Sequence, residues 1–450
     1  MNPRGQSRLR RDLALIRTDG VFFSLMVGVG ETYLAAFALA LGNSDVAAGL
    51  LSALPMLAGG ILQLVAPSAM HRAASYRSWV RMWAGLQAAS FLPLVAAAWL
   101  GAAPVALLFA CAFVYWGSGL ATAPAWNAWM AQIVPARIRG RYFGGRQSAA
   151  QIGVLTGLIA GGIVLHEMGG DARAFAILFA AAFLFRAVSV TVISRQSLPR
   201  GGRRPEGARA RDLVRRAWRS QSRGVVLSIL ICNAAVNLAS PFFTPYLLVQ
   251  SHLGYGEFMT LLAANFLGKI AVYPLLGRIA RRAGVRQLMA VGAIGIAPLP
   301  LLWTVSSSVT YLFAVQGMAG MFWAAFELAI LLSFLDVPDD RERTALLATY
   351  HFLNTAAVAT ASLLGGITLA ALGQDRDAYL WIFGASSVGR AIGLALLLAR
   401  ARRGMVEVIP ALRILAVRPW GEAVIRPVVA TMGLARKIRR ARPDGGEGRE

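Results

Sequence analysis

Acidic residues are scarce in this chain: 21 aspartates and glutamates stand against 45 lysines and arginines, and only 15% of the 450 residues are charged. A soluble domain carries about 25% charged residues, so this chain cannot cover the water-facing surface of the roughly three domains its length would otherwise allow. Cysteine is nearly absent. Cys111 and Cys232 both lie inside apolar runs, which excludes a disulfide framework and any CxxC metal site. Histidine occurs four times. His71, His166 and His252 are scattered through loops without ligand spacing, so no metal is expected. No strand or GK[ST] follows Gly144-Gly145, so that pair is no phosphate cradle. No serine–histidine–acid order or carboxylate pair supports an enzyme, and no cofactor is implied.

What the chain does have is apolar length. Hydrophobic residues make up 57% of it, with a mean hydropathy of +0.58. Spans of about 20 residues are needed to cross a bilayer, and twelve apolar runs qualify. They are 20–41, 46–70, 79–100, 104–134, 147–166, 174–194, 225–249, 257–276, 286–304, 309–335, 345–372 and 378–399. Pro55, Pro124, Pro245 and Pro298 fall inside them, which membrane helices tolerate when neighbours satisfy the freed backbone groups. The first run lacks a small-residue cleavage site and is expected to be retained.

The basic residues orient these spans. With the N-terminus inside, only Arg173 and Arg376 fall outside, and Arg186, Lys269 and Arg390 fall within spans. Every other lysine and arginine lies in a cytoplasmic segment or, like Arg81 and Arg286, at the cytoplasmic edge of a span, as the positive-inside rule requires. The net charge of +24 therefore reports topology and contact with anionic inner-leaflet lipids, and nucleic acid is not needed to explain it. An integral protein of the plasma (inner) membrane follows, with both termini cytoplasmic.

The sequence also repeats. At an offset of 204, Gly20-Val21-Phe22-Phe23-Ser24 overlies Gly224-Val225-Val226-Leu227-Ser228, and Phe185-Arg186-Ala187-Val188 overlies Gly389-Arg390-Ala391-Ile392. Gly161-Gly162 likewise overlies Gly365-Gly366. At an offset of 200, Phe113 and Gly117 overlie Phe313 and Gly317, and Asn127 overlies Glu327. The expected architecture is all-α, with twelve transmembrane helices in two pseudo-symmetric six-helix bundles. Its parts are an N-terminal half (1–194), a basic cytoplasmic linker (195–223), a C-terminal half (224–400) and a basic amphipathic tail (401–450). The tail mixes Leu412, Ile414, Leu415, Trp420 and Ile425 with arginines and is broken by Pro410, Pro419 and Pro427, so an interfacial segment is expected there.

Two loops carry a family resemblance. Gly277-Arg278-Ile279-Ala280-Arg281-Arg282-Ala283-Gly284-Val285-Arg286 resembles the loop pattern of the major facilitator superfamily, with Arg281 where an aspartate is usual. Pro135-Ala136-Arg137-Ile138-Arg139-Gly140-Arg141-Tyr142-Phe143-Gly144-Gly145-Arg146 is similar to that family's 4–5 loop. The resemblance implies two halves around a midplane solute site. It marks Gly277, Arg278, Arg282, Gly284, Arg286, Arg139, Gly140 and Arg141 as gating-loop candidates. The fifth-span series Gly153, Gly157, Gly161, Gly162 partly resembles the antiporter motif of exporters, with Leu158 in place of its proline. It also offers small faces for close helix packing.

Ionisable groups inside a bilayer are functional candidates by default. Glu31 stands in the middle of the first span, beside Tyr33, and its repeat counterpart is Ala235. One reading is a proton or cation carrier facing the cavity, and the other is a structural carboxyl. Glu327 and its counterpart Asn127 are flanked by aromatics, which suits an organic solute or simple packing. Lys269 would recognise an anionic group or balance Glu327. Asn265, Gln316 and Trp116 complete the candidate solute site. Arg186 and Arg390, at matching positions, read better as snorkelling or paired groups. Gln147 and Gln151 begin the fifth span, and His351 and Asn354 begin the eleventh.

The implied activity is secondary active transport of a small organic solute by a monomer using alternating access. Coupling would be to protons or another ion, and the partial glycine motif tilts toward export. A non-transporting protein of the same fold (an assembly factor or sensor) and a lipid translocator are the alternatives.

Overall fold

A computed structural model describes residues 3–70, 72–198, 209–220, 223–251, 253, 255–337, 339–373 and 375–402. The expected tail segment lies outside the described residues from 403 onward, as do His71, His252 and linker residues 199–208 and 221–222. All regular elements among the described residues are helical.

The twelve expected spans are present. In the first half, α1 runs over Pro3–Val29, breaks into a 3₁₀ turn at Glu31–Tyr33 and resumes over Leu34–Ala40. Then come α2 (Asp45–Met70), α3 (Tyr76–Ala89, continued as Phe91–Leu100), α4 (Val105–Ile133), α5 (Arg139–Glu167) and α6 (Ala172–Arg195). A linker helix (Ala210–Arg219) leads to α7 (Arg223–Ala239, then irregular turns to Gln250) and α8 (Tyr255–Ala283). The second half closes with α9 (Val285–Ile296, continued as Leu299–Val305), α10 (Val309–Leu335), α11 (Asp340–Ala371) and α12 (Arg376–Arg402). Eleven of these segments are long and apolar enough to cross a membrane, and α2, which holds Pro55 and Pro67 within its 26 residues, completes the set.

Several helices overrun the apolar runs, always at the arginine-rich end. α1 starts at Pro3 where apolarity begins at 20, α5 starts at Arg139, and α8 continues to Ala283. Arginine is a good helix former, so the helix continues where the membrane stops.

The breaks have local causes. Pro93 and Pro300 lack the N–H that would bond four residues back, and α3 and α9 interrupt just before them, at Ser90 and at Ala297-Pro298. In α7, Pro241 ends the regular helix after Ala239, and a π turn over Tyr246–Gln250 follows Pro245. Gly30 marks the break in α1. The carbonyl of Ile296, left without a partner by Pro300, accepts from the buried Arg390 Nη1 at 3.1 Å. Arg390 Nε also donates to Ser386 at 3.1 Å. Arg390 is thus a paired group, holding the kink of α9 from α12.

Duplication is visible in the packing. In the first half α1 packs on α5 and α6, α2 on α4, and α3 on α4 and α6; in the second half α7, α8 and α9 repeat these pairings with α10, α11 and α12. A Cβ on Gly161 would strike the Tyr33 ring at 2.5 Å, and one on the equivalent Gly365 would meet the Phe242 ring at 2.7 Å. Gly153 and Gly157 bring α5 onto Val21, Ser24, Leu25 and Gly28 of α1, so the glycine series acts as a packing face.

The halves meet where α5 packs on α8 and α2 on α11, which are one and the same pair under the pseudo-two-fold. Contact is tightest at the end bearing the N-terminus and linker. There Gly140 and Gly277 meet backbone to backbone, and a Cβ on Gly144 would lie 2.5 Å from the Tyr273 carbonyl. The linker helix lies over the α2–α11 side of this seam. Its buried Leu213 packs with Ala345 and Ala348, against Leu64 of α2, and Ser220 donates to Glu342 at 2.7 Å. Its opposite face exposes Trp218 and arginines 211, 215, 216 and 219.

Candidate functional site

Several polar clusters lie inside the bundle among the described residues. The first joins α8, α10 and α5. Lys269 Nζ and Glu327 Oε1 form a buried ion pair at 3.2 Å, and the Tyr273 hydroxyl donates to Glu327 Oε2 at 2.7 Å. The Gln147 side chain reaches Tyr273 from the first half. The structure thus brings these two candidates together, and the pair sits one turn from the glycine contact of α5 with α8. A buried ion pair is seldom a net gain in stability, because desolvating both charges offsets their attraction. One turn further along α8, Asn265 Nδ2 donates to Gln316 Oε1 at 3.2 Å, so these two candidates also meet, at the α8–α10 contact.

The second cluster surrounds Glu31. It is fully buried at the break in α1 and hydrogen-bonds through Oε2 to the Tyr115 hydroxyl of α4. Tyr115 packs edge-on against Phe91 and Trp116, and its carbonyl accepts from Gln87. Glu31 therefore sits within the first half. Tyr33 donates to the Leu158 carbonyl at 2.6 Å, and Trp116 lies in the same core. Both pack the half together.

The third cluster is carried by α7 and α11. Asn233 Nδ2 donates to the Tyr350 hydroxyl at 2.8 Å and to Asn354 Oδ1 at 2.7 Å. Asn354 was legible as a span-opening polar residue, whereas Asn233 hides in an apolar run.

Asn127, the repeat counterpart of Glu327, is fully buried and donates to the Ala123 carbonyl, and its Oδ1 has no partner among the described residues. Gln63 of α2 and Gln151 of α5 are fully buried with neither amide atom bonded to a described residue. Buried polar atoms nearly always find partners. Three amides on α2, α4 and α5 with free hydrogen-bonding capacity are therefore groups that a polar solute or water would satisfy.

The gating-loop candidates divide sharply. Arg139 donates to the carbonyls of Ala131 (2.7 Å) and Val134 (3.0 Å) at the end of α4. It also reaches the other half, at the Leu335 carbonyl (2.6 Å) and the Asp336 carboxylate (2.8 Å). Gly140 and Gly277 form the backbone seam, and Gly284, at φ +95°, turns the chain from α8 into α9. Arg278, Arg282, Arg286 and Arg141 make no hydrogen bond or ion pair with a described residue.

Sequence reading missed a fourth group. Asp19 stands one residue before the first apolar run, yet α1 is already helical and buried there. Asp19 accepts from Ser189 at 2.6 Å, and Ser189 accepts from Arg186 at 2.8 Å. Arg146 lies over the Trp126 ring at 4.8 Å. Arg186 is thus linked through Ser189 to an acid on α1, within its own half.

Two like bundles of six helices, meeting at a seam that carries buried ionisable groups, define a membrane transporter built by duplication. The chain belongs to the Major Facilitator Superfamily, whose sequence profile matches residues 20–261 and 225–436. It is an integral membrane transporter and not an enzyme. A curated relative, the uncharacterized MFS-type transporter YitZ of Bacillus subtilis (strain 168), is 30% identical over 134 residues, covering 29% of this chain and 80% of YitZ. The fold is similar to that of the E. coli fucose:proton symporter FucP, with a TM-score of 0.67 at 13% identity over 86% of this chain and 98% of that one. It is similar to the same degree to the human organic anion transporter MFSD10 (TETRAN), with a TM-score of 0.66 at 15% identity over 88% of this chain and 100% of that one.

Proposed function

We propose that this secondary transporter moves a small organic anion by alternating access, with proton coupling through Glu327. The observation that carries the reading is the buried Lys269–Glu327 pair, bonded to Tyr273, whose own carbonyl lies against Gly144 of the opposite half. Protonating Glu327 removes Lys269's counter-charge and frees the ammonium for a carboxylate or similar group. Binding of the anion then rewards separation of the pair and, with it, rearrangement of the seam. Relatives of this fold named as a proton symporter and an organic anion transporter agree with both halves of the reading. The arginine distribution supports cytoplasmic termini in the plasma (inner) membrane, so the arrangement described here is closed to the cytoplasm. The partial glycine motif favours export, and the assay below reads direction independently.

The test is flux in proteoliposomes across a library of carboxylates, sugar acids and neutral sugars, with and without an imposed pH gradient. Anion flux that the gradient accelerates, and that Lys269→Gln abolishes, is the expected result. Equal flux of wild type and Lys269→Gln, or flux of neutral solutes only, overturns the reading.

A further inference from the structure

A cleft of about 360 Å³ opens on the α5–α8 side of the seam, at the linker end, and three arginines line it: Arg17 of α1, Arg141 of α5 and Arg278 of α8. No carboxylate is among its lining residues. None of the three guanidiniums donates a hydrogen bond or joins an ion pair among the described residues. Three like charges gathered without a counter-ion repel one another, and an anion in their midst relieves that repulsion through charge-assisted hydrogen bonds.

The rest of the wall is apolar. The Tyr142 ring is buried with its hydroxyl donating away from the cleft, to the Leu13 carbonyl at 2.7 Å, and Ile138 and Pro274 complete the surface. Gly145 leaves space for Arg17, whose Nη2 would stand 3.3 Å from a Cβ at that position. Depth fits as well. Arg17 precedes the apolar run that begins at Gly20, and Arg278 follows the one that ends at Leu276, so the guanidiniums lie at the level of lipid head groups.

We infer that this cleft is a binding site for a phosphate-bearing anionic head group, of an anionic phospholipid or of a soluble phosphate compound. The arginines hold the phosphate, and the tyrosine, isoleucine and proline cover the carbon skeleton next to it. Because α1 and α5 supply one wall and α8 the other, the site exists in this arrangement of the halves and is split when they separate at the linker end. Its ligand therefore favours the closed linker end. The site does not depend on which solute is carried or on which ion drives it.

The experiment uses the purified full-length protein in detergent and measures binding of dihexanoyl phosphatidylglycerol, dihexanoyl phosphatidylcholine, glycerol 3-phosphate and inorganic phosphate. The variants are Arg17→Gln/Arg278→Gln, Arg141→Gln and the exposed control Arg281→Gln, each first checked for wild-type melting without ligand. Arg17→Lys/Arg278→Lys keeps the charges should the glutamine pair fail to fold. A lipid source gives phosphatidylglycerol at least tenfold tighter than phosphatidylcholine, a preference lost in the glutamine variants and kept by Arg281→Gln. A soluble source gives arginine-dependent binding of glycerol 3-phosphate or phosphate with no preference between the lipids. Binding equally weakened by Arg281→Gln, or no arginine-dependent binding of any of the four probes, overturns the site.

Discussion

Arg139 of the first half meets Asp336 of the second at 2.8 Å, and the same guanidinium holds the last carbonyls of α4 and α10. Its repeat counterpart, Arg343, 204 residues on, bonds the Phe334 and Val337 carbonyls at the end of α10, inside its own half. Both members of the duplicated pair hold the carbonyls that end α10, and Arg139 does so from the other half.

Removing the two ends of that bridge should have unequal effects. The ion pair is partly exposed, at 13% and 28% for the two side chains, so Asp336→Asn should shift the open–closed equilibrium by no more than about 1 kcal/mol. Arg139→Gln also loses the bonds to helix-end carbonyls and should shift it by about 1.5–3 kcal/mol, which is tenfold or more in population. Distances between spin labels at the linker ends of α5 and α8 would measure both. Equal shifts for the two variants would contradict this account.

Gly144→Ala sets two effects against each other. Helix propensity alone would stabilise α5 by about 1 kcal/mol. The new Cβ, however, would lie 2.5 Å from the Tyr273 carbonyl across the seam, and neither backbone can yield without moving a helix. The closed linker end should therefore lose population while the helix itself melts no earlier, as read by the same labels and by thermal unfolding.

Glu327→Gln and Glu31→Gln separate the two buried carboxyls. Glutamine mimics a neutral acid, so Glu327→Gln should insert normally, lose pH-driven accumulation and keep solute exchange down its own gradient. Glu31→Gln retains a hydrogen-bonding partner for Tyr115 and should keep coupling, with a modest loss of stability. Reversal of the two phenotypes in proteoliposomes would pass the coupling role to Glu31.

Arg390→Met keeps bulk and removes the donor to Ile296. The carbonyl freed by Pro300 would then be buried without a partner, which costs about 1–3 kcal/mol. Ser386→Ala leaves that bond in place and should cost less. Melting temperatures in one detergent compare them.

The order of the spans and the two halves was legible because apolar length, arginine placement and the offset of 204 all act over long stretches of chain. The Lys269–Glu327 pair was legible because an ionised group in lipid needs a partner, and few were available. Tyr273, Tyr115 and Asn233 were not, because a tyrosine or a lone asparagine in an apolar run looks the same in sequence whether it packs or binds a carboxylate. Asp19 was missed because an apolar window ends where charge begins, while the helix and its burial continue. Arg139 was legible only as a member of a loop pattern, since its reach across to Asp336 depends on how the halves are docked.

Most contacts that form and break must freeze side chains each time, at up to about 2 kcal/mol of rotamer entropy for a long one. Where Gly140 meets Gly277, and Gly144 meets the backbone of Tyr273, three of the four positions have no rotamers to lose. These backbone contacts themselves carry almost no side-chain disorder to be surrendered, and the ordering at this end falls on Arg139. If the halves part during transport as proposed, a contact of that kind adds little side-chain ordering to the cost of remaking it.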